Sequence, residues 1–157
     1  MGAIRRMVVT TDLSETSEQV FDAARELAER FDAQVILTHV TELRLPYQVI
    51  ENYSAVIEDA MEDERGRARD QLFRYAAEYF VPHVDVEVQL LTGVPHTEIV
   101  RLAKRCGADL IVMATHGRGF MSHALLGSTT ERVVRRAPCP VFVVRAAKQK
   151  RITRKAV

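Results

Sequence analysis

Cysteine is scarce: the chain has two in 157 residues. Cys106 and Cys139 stand far apart in sequence and match neither a metal pattern nor a CxxC redox pair. Cys106 falls on the apolar side of a helical pattern, where a thiol serves as a small core residue. Long apolar runs are missing too. None reaches the roughly 18 residues that a membrane helix needs, and the longest candidates are broken by Asp12, His39 and His116. The opening MGAIRRMVVTTD lacks an apolar centre of signal-peptide length, and Arg6 stands where a myristoylation motif takes Ser or Thr. The expectation is a protein of the reducing cytoplasm with no membrane partner. Catalytic signatures are equally thin. There is no GK[ST] tripeptide of a P-loop, no G-x-G-x-x-G after the first strand, no G-x-S-x-G elbow and no H-E-x-x-H. His39, His83, His96, His116 and His123 are scattered without ligand spacing. Ser128, His116 and Asp12 can be drawn as a Ser–His–Asp set, but a serine at a helix start makes a poor nucleophile.

What the chain does contain is an alternation of two periods. Short runs rich in β-branched residues, expected as strands over 6–11, 34–40, 85–91, 110–114 and 141–144, alternate with helical spacing. This is the pattern of an α/β protein with a parallel sheet. The first helix is expected to open near Ser14 and to bury Val20, Ala24, Leu27 and Phe31. A long helix over 55–79 includes apolar Val56, Ala60, Leu72, Ala76 and Tyr79, with Gly66 as a point of weakness. A third stacks Ile99, Leu102, Ala103 and Cys106 and stops at Gly107. The fourth ends near Arg136, ahead of Pro138. At 47% hydrophobic and 27% charged residues the composition is that of a soluble globular domain. The length allows one domain burying roughly 70% of its unfolded surface. That domain is expected over 1–146, with a basic tail over 147–157. Residues 145–157 hold Arg145, Lys148, Lys150, Arg151, Arg154 and Lys155 and no acid; against a whole-chain charge of +1, the other 144 residues therefore sum to −5. Such a tail suits an anionic surface or serves as a solubilising terminus. Nucleic acid is not the expected partner.

The most informative stretch is DLIVMATHGRGFMSHALLGS, residues 109–128. A strand buried on both faces runs into a loop with Gly117 and Gly119 that closes at Gly127-Ser128. Ser128-x-x-Glu131 then reads as a capping box leading into a helix. A glycine loop delivered from a strand to a helix start gathers unpaired N–H groups and the positive end of the helix dipole, which suits phosphate. The hydroxyls of Ser128 and Thr129 and the Arg118 guanidinium would add to those amides. In open α/β sheets ligands bind at the carboxyl ends of strands, where strand order reverses. Thr11-Asp12, Val40-Thr41 and Thr115-His116-Gly117 all end strands. Asp12 thus has two readings, a bond to a ribose hydroxyl or adenine edge, or a cap on the first helix together with Ser14.

These residues resemble the universal stress protein family over nearly the whole chain. The family's nucleotide-binding signature, G-x-x-G-x₉-G-[ST], is matched by Ala114, Thr115, His116, Gly117, the nine residues 118–126, Gly127 and Ser128. VVTTDLSETSEQVFDAA and VVRRAPCPVFVV add to the likeness. Ala114 departs from the signature's first glycine, and its methyl group is expected to narrow the space beside a ligand. The resemblance implies a three-layer α/β/α domain with strand order 3-2-1-4-5. It implies a stress-response protein binding ATP as a regulatory switch, with at most slow hydrolysis. Thr11, Asp12 and Val40 would hold the adenosine, and Met113 and Ala114 would line the pocket. Gly117, Arg118, Gly127, Ser128 and Thr129 would meet ribose and phosphates, with Mg²⁺ or Mn²⁺ carried on the latter. It also implies a homodimer through the last strand, Val141, Phe142, Val143 and Val144, whose unpaired apolar edge is otherwise an aggregation hazard. The alternative is a nucleotide-free dimeric interaction module of the same fold.

Overall fold

β1 (Arg6–Thr10) is bonded on both edges, to β2 (Gln34–Thr41) and β4 (Leu110–Ala114), and Met7, Val8 and Val9 are fully buried. A segment flanked by strands on both edges and by helices on both faces has to be apolar throughout, which RMVVT nearly is. The computed structural model describes residues 3–14, 17–42, 54–115 and 126–145. The expected glycine loop with Gly117 and Arg118, the stretch 43–53 and the tail 147–157 lie outside them. β3 (Val86–Thr92) and β5 (Val141–Val144) complete a parallel sheet of order β3-β2-β1-β4-β5, as the resemblance implies.

Alternation along the strands divides the core in two. Met7, Val9, Val35, Leu37, Leu110 and Val112 face α1 (Glu18–Phe31) and α2 (Ser54–Tyr75). Val8, Ile36, Val40, Ile111 and Met113 face α3 (Pro95–Cys106) and α4 (Ser128–Arg136). The result is a three-layer α/β/α domain. Among the described residues no helix is long and apolar enough to cross a membrane.

The helices depart from expectation in instructive ways. The α-helix α1 opens at Glu18, after a tighter turn in which the Ser17 N–H donates to the Ser14 carbonyl at 3.0 Å. It buries Val20, Phe21, Ala24 and Ala28, while Leu27 is half-buried. Phe31, on the same stripe, overruns the end of the sheet and is 46% exposed. α2 passes through Gly66 unbroken, and Ala60 is exposed, not buried. The irregularity falls later, where Ala76–Phe80 widen into a π turn with the Val81 N–H bonded to the Ala76 carbonyl at 3.1 Å. The wider turn keeps Phe80 on the face of Leu72 and Ala76, all buried. There Phe21 meets the rings of Tyr75, Tyr79 and Phe80 at centroid distances of 5.0, 5.2 and 6.0 Å. Burial, then the carboxylates of Glu18, Glu78 and Asp22, push the Tyr79 phenol up to about 12. α3 ends as expected at Gly107, whose φ of +63° favours glycine and whose N–H reaches the Ala103 and Lys104 carbonyls. Cys106 is half-buried and packs against the second core cluster.

Asp109 ties the sheet's lower edge together. One carboxylate oxygen accepts the N–H groups of Arg5 and Arg6 at 2.9 and 3.0 Å, and these bonds hold the carboxyl below its ordinary range. Its folded-state pKa lies below the unfolded value, so its contribution is complete above about pH 4 and is lost as pH falls through the folded value. Asp109→Asn should therefore cost about 1 kcal/mol at neutral pH. In denaturant titrations the gap from wild type should close on acidification; a gap that widens would contradict this account. Gly66→Ala should act oppositely. A Cβ there meets nothing within 4 Å, so α2 should gain up to about 1 kcal/mol, read as a melting temperature about 2–4 °C higher.

Candidate functional site

Strand order reverses between β1 and β4, whose register pairs Met7 with Leu110, Val8 with Ile111 and Val9 with Val112. The carboxyl ends of these neighbours carry Thr11-Asp12 and Ala114-Thr115. The Thr11 N–H donates to the Thr38 carbonyl of β2 at 3.0 Å, and the Thr115 N–H to Val144 of β5 at 2.9 Å. The segments leaving both strands thus start from fixed positions.

Asp12 divides its carboxylate between two tasks. Oδ1 accepts the Ser14 N–H at 3.1 Å, the Ser14 hydroxyl at 2.5 Å and the Ser17 hydroxyl at 3.2 Å. Thr11 Oγ1 accepts the Leu13 N–H at 2.9 Å and donates to Ser17 Oγ at 2.8 Å, so the hydroxyl protons run in sequence toward Oδ1. His39 adds an anchor: its Nδ1 lies 2.8 Å from the Thr11 carbonyl, which can only accept. Oδ2 is different. It is buried and has no hydrogen-bond partner among the described residues. A carboxylate oxygen so placed leaves unmet a desolvation cost of about 1–3 kcal/mol or more. A ligand N–H or O–H would meet it. Asp12 is not the helix cap, since Ser17 holds that position and makes no side-chain capping bond.

Across the switch point, α4 is capped by Gly127, not by Ser128. The expected Ser128–Glu131 capping box does not form, because Ser128 is already in the helix and the Glu131 N–H bonds to the Gly127 carbonyl at 2.9 Å. The Gly127 N–H is also engaged, donating to Thr115 O at 2.7 Å and tying the two ends of the glycine loop together. The unengaged donors are the N–H groups of Ser128, Thr129 and Thr130, which meet no acceptor among the described residues. Ser128 is exposed and Thr129 half-buried. Thr130 is buried, and its hydroxyl donates to the Ala114 carbonyl at 2.9 Å, bolting α4 to the end of β4. Sequence reasoning singled out neither Thr130 nor Ser17. A hydroxyl inside the first helical turn was the available signal, but the partner in each case is set by the tertiary fold.

Three other expected residues are accounted for. Val40, at the end of β2, and Met113 are both buried in the α3/α4-side core. Ala114 is half-buried and packs against the core on the α1 side. Gly117 and Arg118 lie outside the described residues. Among those residues no group of three or more His, Cys, Asp or Glu is arranged to hold a metal. A cleft of about 390 Å³ lined by Arg5, Glu29, Asp32, His83 and Asp85 opens at the opposite, amino-terminal edge of the sheet, away from these groups.

The chain matches the model of the universal stress protein family over residues 3–145. Universal stress protein MJ0531 of Methanocaldococcus jannaschii is 34% identical over 147 residues, 92% of this chain and 84% of that protein. The solved structure of MJ0577, from the same organism, superposes with a TM-score of 0.81 at 27% identity, covering 93% of this chain and 99% of that one. A universal stress protein of Archaeoglobus fulgidus, solved in complex with dAMP, shares the fold with a TM-score of 0.56 at 20% identity, covering 90% and 98%. The chain belongs to the universal stress protein family.

Proposed function

We propose that this stress protein binds an adenine nucleotide, ATP, as a regulatory signal in the cytoplasm, with at most slow hydrolysis. One observation carries the reading. A buried carboxylate oxygen at the end of β1 and three amides at the start of α4, all without a partner among the described residues, belong to the same end of the sheet, at the reversal of strand order. A nucleoside triphosphate is complementary to both. Its ribose hydroxyls or exocyclic amine donate to Asp12 Oδ2, and its phosphates accept from Ser128, Thr129 and Thr130 at the positive end of the helix dipole. Thr11 and Val40 flank the adenosine; Met113 and Ala114 back it. Gly117, Arg118, Gly127, Ser128 and Thr129 close on ribose and phosphates, which carry Mg²⁺ or Mn²⁺. The dAMP complex of the A. fulgidus relative supports an adenine nucleotide as the ligand class. Slow turnover is expected because Asp12 Oδ1 is saturated by three donors and Oδ2 is needed to bind. No free base remains on that carboxylate.

Calorimetry with Mg·ATP tests the site. Asp12→Asn keeps the shape and removes the charge, and should weaken binding about 10- to 100-fold, the equivalent of one charge-assisted hydrogen bond. Gly127→Val, allowed by a φ of −66°, should abolish binding by setting a branched side chain at the phosphates. Undiminished ATP affinity in both variants would overturn the assignment.

The open edge of β5 supports a homodimer. Among the described residues β5 is bonded on one edge, to β4, and Phe142 is 45% exposed. Pairing of Val141, Phe142, Val143 and Val144 with a second copy would satisfy the free edge and cover that ring. Phe142→Asp should halve the mass seen by sedimentation without lowering ATP affinity; an unchanged mass counts against this edge as the interface.

A further inference from the structure

The two helical layers carry opposite charge. α3 and α4 hold Arg101, Lys104, Arg105, Arg132, Arg135 and Arg136 against Glu98 and Glu131, a net charge of +4 with all six cations exposed. α1, α2 and the π turn hold eleven acids against six arginines, a net charge of −5. The sheet lies between them, so the two sets face away from each other. Within the basic layer Glu98 is paired with Arg101 at 2.7 Å and Glu131 with Arg135 at 2.9 Å. Lys104, Arg132 and Arg136 have no acidic partner among the described residues. The two helices form one surface, for Arg132 and Arg136 of α4 act on the buried His96 of α3, adding to the burial that holds its imidazole below the ordinary range. Each layer also exposes large apolar side chains. Val94 (53%) and Val134 (45%) stand on the basic side, Phe31 (46%) and Phe73 (56%) on the acidic side.

We propose that the α3/α4 face of one copy docks on the α1/α2 face of a second copy. The charges favour this occupant over a polyanion. A second copy brings a net −5 surface with its own apolar contacts to a net +4 surface, whereas a polyanion approaching the molecule also meets the repulsion of the acidic layer. Neither face complements itself, since two basic faces repel. The contact is therefore heterologous, and each added copy leaves one free face of each sign, so the assembly grows head to tail. The β5 edge lies at the side of the sheet and takes no part, which keeps this contact separate from the dimer proposed above. Because the contact is largely between exposed charges, it is strongly screened by salt.

Sedimentation velocity across a concentration series tests this in about 20 mM and about 0.5 M salt. Wild type should form larger species in low salt and lose them in high salt. Arg132→Glu with Arg136→Glu removes the basic face, and Glu26→Lys with Glu29→Lys removes the acidic one. Each double variant, with melting temperature checked, should lose the salt-sensitive species. Mixed together, they should form a salt-sensitive one-to-one pair larger than either component, because the first keeps an acidic face and the second a basic one, and growth stops there. Salt-independent sedimentation of the wild type would overturn the proposal, and so would a mixture no larger than its components. Wild type that stays unassociated yet binds heparin or phosphatidylserine vesicles through Arg132 and Arg136 would assign the face to a polyanion or a membrane instead.

Discussion

β1 is the constraint on which the molecule depends. Because it is bonded to β2 on one edge and β4 on the other, the chain must leave the centre of the sheet in one direction and return in the other. That reversal opens a gap at the carboxyl ends, since the connection after β1 goes to one face and the connection after β4 to the opposite one. α1 and α4 are the helices so separated. Burial of Met7, Val8 and Val9 fixes β1 beneath that reversal. At roughly 1.5–3 kcal/mol for each fully buried apolar side chain, this strand contributes far more than any polar group at its end removes. A buried carboxylate oxygen without a donor is tolerable there because the strand beneath it is so well packed.

The polar groups at the gap follow one logic. Every donor with a geometric task is engaged within the fold: Gly127 N–H ties the loop ends, Thr130 ties α4 to β4, and Ser14 and Ser17 hold Asp12 Oδ1. The groups left over are an acceptor on one side and three donors on the other. Buried polar groups in native proteins are almost always satisfied, so the leftover set is informative in a way that the engaged set is not. Of that set only the Asp12 oxygen and Thr130 are buried, and it is their pairing with the helix start that supports a nucleotide.

Much of this was legible in the sequence, and the exceptions have physical causes. β4 and β5 have the bounds their apolar runs predict, and Gly107 stops α3 as its position suggests. Central strands reveal themselves because burial on both faces leaves no polar alternation to confuse. Helix starts were misread at Ser14 and Ser128, both serines with the right neighbours. A capping residue is defined by its backbone angles and by where its side chain finds a partner, and both depend on tertiary contacts. At the first helix a tight turn from Ser14 precedes the α-helix proper at Glu18, and at the last Gly127 supplies the first helical carbonyl. Phe31 lay on the correct stripe but beyond the sheet's end, a matter of strand length that helical period cannot report. Pleat alternation sends the Ala114 methyl to the α1 side with Leu110 and Val112, a direction the strand period does predict. The split of charge between layers was invisible for another reason: each helix alone is of mixed sign, and only the topology decides which pairs share a face.

Leu13 shows how the Asp12 turn is held. Its φ of +61° is left-handed, a conformation that costs a residue with a branched side chain on the order of 1–2 kcal/mol. Two contacts keep it there. Its N–H is bonded to Thr11 Oγ1, and its carbonyl faces the Gln71 amide of α2 at 3.4 Å, itself tied to the Tyr75 hydroxyl at 2.8 Å. A relaxed extended residue at this point would carry the chain straight on from β1 and take Ser14 and Ser17 away from Asp12. The left-handed step instead folds the chain back so that Ser14 and Ser17 both reach Oδ1, which leaves Oδ2 as the oxygen without a partner. Strain of this kind persists where surrounding contacts over-determine it and where a site needs a geometry that the relaxed chain does not supply. The aim of Asp12 is therefore set jointly by a strained leucine, a buried serine and a glutamine on a helix far along the chain. No short motif around position 12 could have contained that information.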